Sequence, residues 1–120
     1  MTGGNGTRSG EERALSLLGL VRRAGGVVAG VDRVLAGVRT KAPEIAAVLA
    51  ASDASARTAK QIADKCAFYG VRYVKLGVDS SVLAERLGLV SSCAAVAVLK
   101  RGPWKPLCDA LGDRDGKIEK

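Results

Sequence analysis

Short apolar runs alternate with amphipathic helical stripes along this chain, and each change between them is marked by glycine, proline or a capping residue. That alternation restricts the fold more than any other feature. Ala14, Leu17, Leu18 and Val21 fall at i, i+3, i+4 and i+7, which predicts a helix over 11–24. Ser9 suits its N-cap, Glu11 and Glu12 suit the positive end of its dipole, and Arg22 and Arg23 suit the negative end before Gly25. Val27, Val28 and Ala29 make one short strand, and Gly30 releases the chain into a second helix. Val31, Val34, Leu35 and Val38 are its buried stripe, while Asp32, Arg33, Ala36, Arg39 and Thr40 gather opposite.

Beyond Pro43 the run 45–51 is apolar throughout, the pattern of a strand covered on both faces, although periodicity alone leaves a helix open. Asp53 or Ser55 caps a third helix with the stripe Ala59, Ile62, Ala63 and Cys66, closed by Gly70. A strand over 71–76 follows, then a helix opened by Asp79 and ended by Gly88, then a strand over 94–99. Pro103 begins a last helix reaching Leu111. The order α-β-α-β-α-β-α-β-α calls for an α/β fold with helices on both faces of one mixed or parallel sheet. The expected organisation is a flexible start over 1–10, one domain over 11–111 and a flexible charged tail over 112–120.

Aromatic residues are only 3% of the chain against 48% hydrophobic, so Ala, Val and Leu must fill the core at close approach. Cys66, Cys93 and Cys108 are widely spaced, and histidine is absent. Free thiols, a cytoplasmic setting, no metal and no cofactor are the corresponding expectations. No apolar run is long enough to cross a bilayer. Catalysis is poorly served. No histidine can activate the serines, the glycines around Gly30 do not match a nucleotide-binding loop, and Asp53 and Asp79 read as helix caps.

The formal net charge is +7, which makes a polyanion the first partner to consider, the alternative being a basic face kept for solubility. Residues 1–41 hold seven Arg and Lys against three Asp and Glu. Within them the helix opened by Gly30 offers backbone N–H groups and a positive dipole end to an anion, beside Arg33 and Arg39. Equally, Gly30 serves simply to turn the chain from strand to helix.

The combination of LGLVRRAG from Leu18, VVAG ending at Gly30, ASDAS from Ala51, DKC ending at Cys66 and GLVSSCAAVAV from Gly88 resembles the bacterial branch of the kink-turn RNA-binding superfamily. Ribosomal proteins seven-Ae and thirty-e belong to that superfamily. The resemblance spans about residues 11–100. It implies a three-layer α/β/α sandwich, no cofactor, and RNA recognition by the second helix together with the loop before the last strand. In the family that helix opens Gly-x-Asn-Glu-x-x-Lys and reads guanines in sheared G·A pairs. Gly30 matches, whereas Asp32, Arg33 and Ala36 stand at the Asn, Glu and Lys positions, and Gly26 replaces a lysine usual before the short strand.

The implied site comprises Gly30, Val31, Asp32 and Arg33, with Arg22, Arg23 and Arg39 on phosphates and Val90, Ser91 and Ser92 closing over an extruded base. The implied role is that of a monomeric RNA binder serving the ribosome or transcription termination and antitermination. Two alternatives stay open: a protein-interaction module with a degenerate RNA face, and an accessory that recruits RNA for a separate enzyme.

Overall fold

The computed structural model describes residues 3–90 and 92–111. Its elements run α1 (Gly3–Arg23), β1 (Val27–Ala29), α2 (Val31–Lys41), a 3-10 turn (Ala42–Glu44), β2 (Ile45–Ala50), α3 (Ala56–Tyr69), β3 (Tyr73–Lys75), α4 (Ser80–Leu87), β4 (Ala95–Leu99) and α5 (Trp104–Leu111). The strands form one mixed sheet in the order β1-β4-β2-β3. β4 lies antiparallel to both β1 and β2, and β2 runs parallel to β3. Helices cover both faces, as the alternation of elements requires.

Side-chain alternation along β4 sorts the core in two. Val96 and Val98 point to the side of α1, α4 and α5, where they meet Leu15, Leu18, Val21, Leu83 and Leu107. Ala95, Ala97 and Leu99 point to the side of α2 and α3, where they meet Val34, Val38, Ile62 and Cys66. On β2 a register shift between Ile45 and Ala47 breaks the two-residue period. Ala46 and Ala47 therefore both serve the first cluster, while Ile45 and Val48 serve the second. The small side chains of Ala95 and Ala97 leave the two helices on that face room to come close to the sheet.

The helix caps follow local chemistry. Ser55 accepts from Thr58 N at 3.1 Å and caps α3, and Asp79 accepts from Val82 N at 2.9 Å and caps α4. Asp53, the other candidate for α3, reaches across instead. Its carboxylate accepts from the backbone N and the hydroxyl of Ser80, both at 2.9 Å, and ties the β2–α3 loop to the start of α4.

The start of α1 departs from expectation, because the helix opens at Gly3 and Ser9 lies within it rather than capping it. Tertiary packing overrides the poor helix propensity of glycine here: a Cβ on Gly10 would stand 2.6 Å from the carbonyl oxygen of Ala110, so α1 meets α5 backbone to backbone. Glu11 is consequently inside the helix, buried, and both carboxylate oxygens accept from Gly77 N, at 3.0 and 2.9 Å. The tail over 112–120 lies outside the described residues.

Cys66, Cys93 and Cys108 stand as free thiols. Burial against the sheet pushes the Cys66 thiol up to about 12 from an ordinary 9.0. Because the unfolded thiol loses its proton first, Cys66 contributes stability that is complete below about pH 9 and declines as the pH rises towards 12. Burial raises Tyr73 and Cys108 in the same direction. Urea midpoints at about pH 8 and about pH 10 should therefore fall with pH, and Cys66→Ala should flatten that fall. An unchanged slope in the variant would show that Cys66 contributes nothing to it.

Candidate nucleic-acid interface

The corner between β1 and α2 is built by backbone. Gly30 adopts φ 105 and ψ 139, conformations closed to L side chains, and so turns the chain at once from strand to helix. Its N–H donates to Ala95 O at 3.0 Å, and its carbonyl accepts from Val34 N at 2.9 Å. No side chain caps α2, so the N–H groups of its first turn are left without a side-chain acceptor. Asp32 and Arg33 are exposed on that turn, whereas Val31 is half-buried against the second core cluster.

The Gly30–Ala95 hydrogen bond joins this corner to the segment leading into β4. Gly88, at φ 74, ends α4, and Leu89 N returns to Ala84 O at 2.9 Å. Leu89 packs on the first core cluster while Val90 is fully exposed beside it. Ser92 is exposed too, and Ser91 lies outside the described residues. Cys93 N donates to Ser80 O at 3.3 Å, and its Sγ donates to Ala95 O at 3.0 Å, which fixes the end of the loop. Leu89, Val90 and Ser92 border a shallow hollow of about 290 Å³ shared with Ser81, Ala84 and Glu85 of α4.

The fold thus brings Gly30, Val31, Asp32 and Arg33 to the sheet end at which the 88–94 loop joins β4. It does not bring the backbone of Arg22, Arg23 or Arg39 there. These three occupy the last turns of α1 and α2, at the end of the sheet where Ile45 pairs with Leu99 and Val27 with Val98. Arg22 extends from there towards the start of the loop, its Nη1 3.8 Å from where a Cβ on Gly88 would stand.

A groove of about 420 Å³ between edge strand β1 and α2 connects the two ends, with Arg33 and Lys41 among its lining residues. Sequence reasoning missed Lys41, Lys100 and Arg101 as neighbours of Arg23 and Arg39. Only the strand register, which sets Leu99 beside both Ile45 and the Gly26 carbonyl, reveals it.

Among the described residues, no cluster of three or more His, Cys, Asp or Glu is placed to hold a metal ion. Nor is any described helix long and apolar enough to cross a membrane.

No family model matches the sequence. The chain is 40% identical over 86 residues to the RNA-binding protein YlxQ of Bacillus subtilis, covering 72% of this chain and 82% of that protein. It is 32% identical over 71 residues to YlxQ of Enterococcus faecium, covering 59% and 67%. Among solved structures, a Bacillus halodurans protein of unknown function superposes with a TM-score of 0.72 at 28% identity, over 82% of this chain and 95% of that one. The 15.5kD RNA-binding protein of Giardia lamblia superposes at 0.69 with 20% identity, over 87% and 88%, a likeness of fold. Identity and coverage against the Bacillus subtilis relative show that the chain belongs to the YlxQ family, within the bacterial branch of the kink-turn RNA-binding superfamily that its motifs resemble.

Proposed function

We propose that this protein is a non-catalytic RNA-binding protein that recognises a kinked element of structured RNA at the corner between β1 and α2 and at the 88–94 loop. The observation that carries this reading is the uncapped N-terminus of α2, held by the Gly30–Ala95 hydrogen bond beside the loop that bears the exposed Val90. Backbone N–H groups and Arg33 would meet base edges and phosphates, and Val90 would cover an extruded base. Irregular elements suit such a site because a regular A-form helix hides most of its base edges. The name of the Bacillus subtilis relative supports the RNA reading. A ribosomal or transcription-termination setting suits a small basic RNA binder equally.

The test compares a kink-turn RNA with a version whose sheared G·A pairs are replaced by Watson–Crick pairs, at two salt concentrations. Preference for the kinked RNA is expected, and Arg33→Glu should weaken that binding roughly tenfold or more while leaving the thermal midpoint in place, since a charge-assisted contact is worth about 1.5–3 kcal/mol. Equal binding to both RNAs would reduce the protein to a general RNA binder. Absence of RNA binding at low salt would favour a protein-interaction role.

A further inference from the structure

Charge is distributed very unevenly between the two ends of the sheet. At the end that carries the Gly30 corner, the segments 30–33, 51–57, 75–80 and 88–94 carry three cations, Arg33, Arg57 and Lys75, against three carboxylates, Asp32, Asp53 and Asp79, and the Arg22 guanidinium reaches the start of the 88–94 loop. At the opposite end, the segments 23–25, 39–44 and 100–105 carry six cations against the single carboxylate of Glu44. The fold holds those three segments together. Lys100 N donates to Glu44 O at 2.9 Å, Arg101 Nη1 reaches Gly25 O at 3.4 Å, and Gly102 lies against Val21 of α1 and Ala24 just after it. Arg23, Arg39, Lys41, Lys100, Arg101 and Lys105 are all exposed, and among the described residues none of them forms an ion pair.

Helix-end electrostatics account for only part of this edge. Arg23, Arg39 and Lys41 complement the negative ends of α1 and α2. Lys100 and Arg101 lie in a turn, and Lys105 sits in the first turn of α5, where a cation opposes the dipole. Its ammonium lies 5.6 Å from the ring centroid of the half-buried Trp104, which sets an aromatic surface beside the charges.

We infer that this basic edge is a second RNA-binding surface, one that engages the phosphate backbone of an RNA segment outside the kinked element. The inference rests on the reading of the protein as an RNA binder and deepens it. Phosphate neutralisation supplies a large share of the affinity in such complexes, and the kink-binding end, with four cations against three carboxylates, carries little net positive charge. A five-residue β4 separates the two ends by roughly 15 Å, further than the Debye length of about 8 Å at physiological salt. Phosphates at one end are therefore largely screened from cations at the other. Affinity and selectivity are divided between two surfaces.

The experiment uses the full chain and two probes: a kink-turn RNA kept short on both sides of the kink, and a regular RNA duplex with no kink. Lys100→Gln, Arg101→Gln and Lys105→Gln together should weaken duplex binding at least tenfold and reduce the slope of log affinity against log salt by about 2, each lost contact removing roughly 0.7–0.9. Arg39→Gln with Lys41→Gln, on a different element, should reduce it in the same way and guards against misfolding of the triple variant. Arg33→Glu should lower preference for the kinked RNA and leave the duplex slope unchanged.

An unchanged duplex slope in both edge variants would overturn the second surface. Tighter binding of poly-glutamate than of the duplex, lost in the same variants, would overturn it in favour of an acidic protein partner. Loss of duplex binding in the edge variants, with no preference for the kink, would sustain the edge and remove the kink reading, so the two ideas fail separately.

Discussion

Gly26→Lys, which puts back the side chain usual in the superfamily, should lower stability by about 2–3 kcal/mol and gain no RNA preference. A Cβ at Gly26 would lie 2.7 Å from Val21 Cγ1, 3.1 Å from Arg101 Cβ and 3.2 Å from the Val21 carbonyl oxygen. Val21 is fully buried and cannot retreat. Hydrogen bonds clamp the glycine from both sides, its N–H to Val21 O at 2.8 Å and its carbonyl from Leu99 N at 2.7 Å. Because the collision occurs at Cβ, Gly26→Ala should cost nearly as much as Gly26→Lys. Elsewhere Gly→Ala at a compatible site stabilises by about 0.4–1 kcal/mol through the unfolded chain, so the sign itself is diagnostic. Urea unfolding measures it, as a lower midpoint with unchanged slope. An alanine variant as stable as the parent would show that the turn before β1 has room for a side chain, and that the missing lysine is a matter of function alone.

The same turn illustrates how much of this protein is legible in its sequence. Elements whose signals are local were readable: the stripe Val34 and Val38, the Ser55 and Asp79 caps, and the glycines that end α3 and α4 all act within a few residues. Signals that depend on distant partners were not. The N-terminal turns of α1 are glycine-rich and look like a loop, and only α5, about a hundred residues away, gives Gly10 a backbone to pack on. Glu11 reads as a dipole partner at a helix start, yet its carboxylate binds a backbone N–H on the segment after β3. In the candidate site, Gly30 and the loop before β4 could be paired through family resemblance. The arginines could not be sorted in the same way. Arg33 and Arg39 lie six positions apart on one helix and look like one surface, but α2 carries them towards opposite ends of the sheet, and β4 returns Lys100 and Arg101 to the second.

Gly30→Ala should cost about 2–3 kcal/mol and also weaken binding to the kinked RNA, a coupling that separates this position from the other left-handed glycines. A Cβ at Gly30 meets nothing within 4 Å, and the same is true at Gly70, so steric contact explains neither substitution. What differs is the backbone. Gly70 at φ 71 and ψ 30 occupies the left-handed helical region, where Ala costs about 1–2 kcal/mol and Asn is tolerated. Gly30 at φ 105 and ψ 139 occupies a region essentially reserved for glycine. Gly70→Asn should therefore recover most of the loss of Gly70→Ala, while Gly30→Asn should be no better than Gly30→Ala. Relief of the strain would require rotation at Gly30, and rotation breaks its hydrogen bond to Ala95, which sets α2 against the 88–94 loop. Hydrogen exchange at the Gly30 amide would report that break directly. Faster exchange accompanied by lost kink preference would show that one backbone conformation holds the two halves of the site together, whereas lost stability with unchanged preference would mean that the RNA itself can draw the corner back into shape.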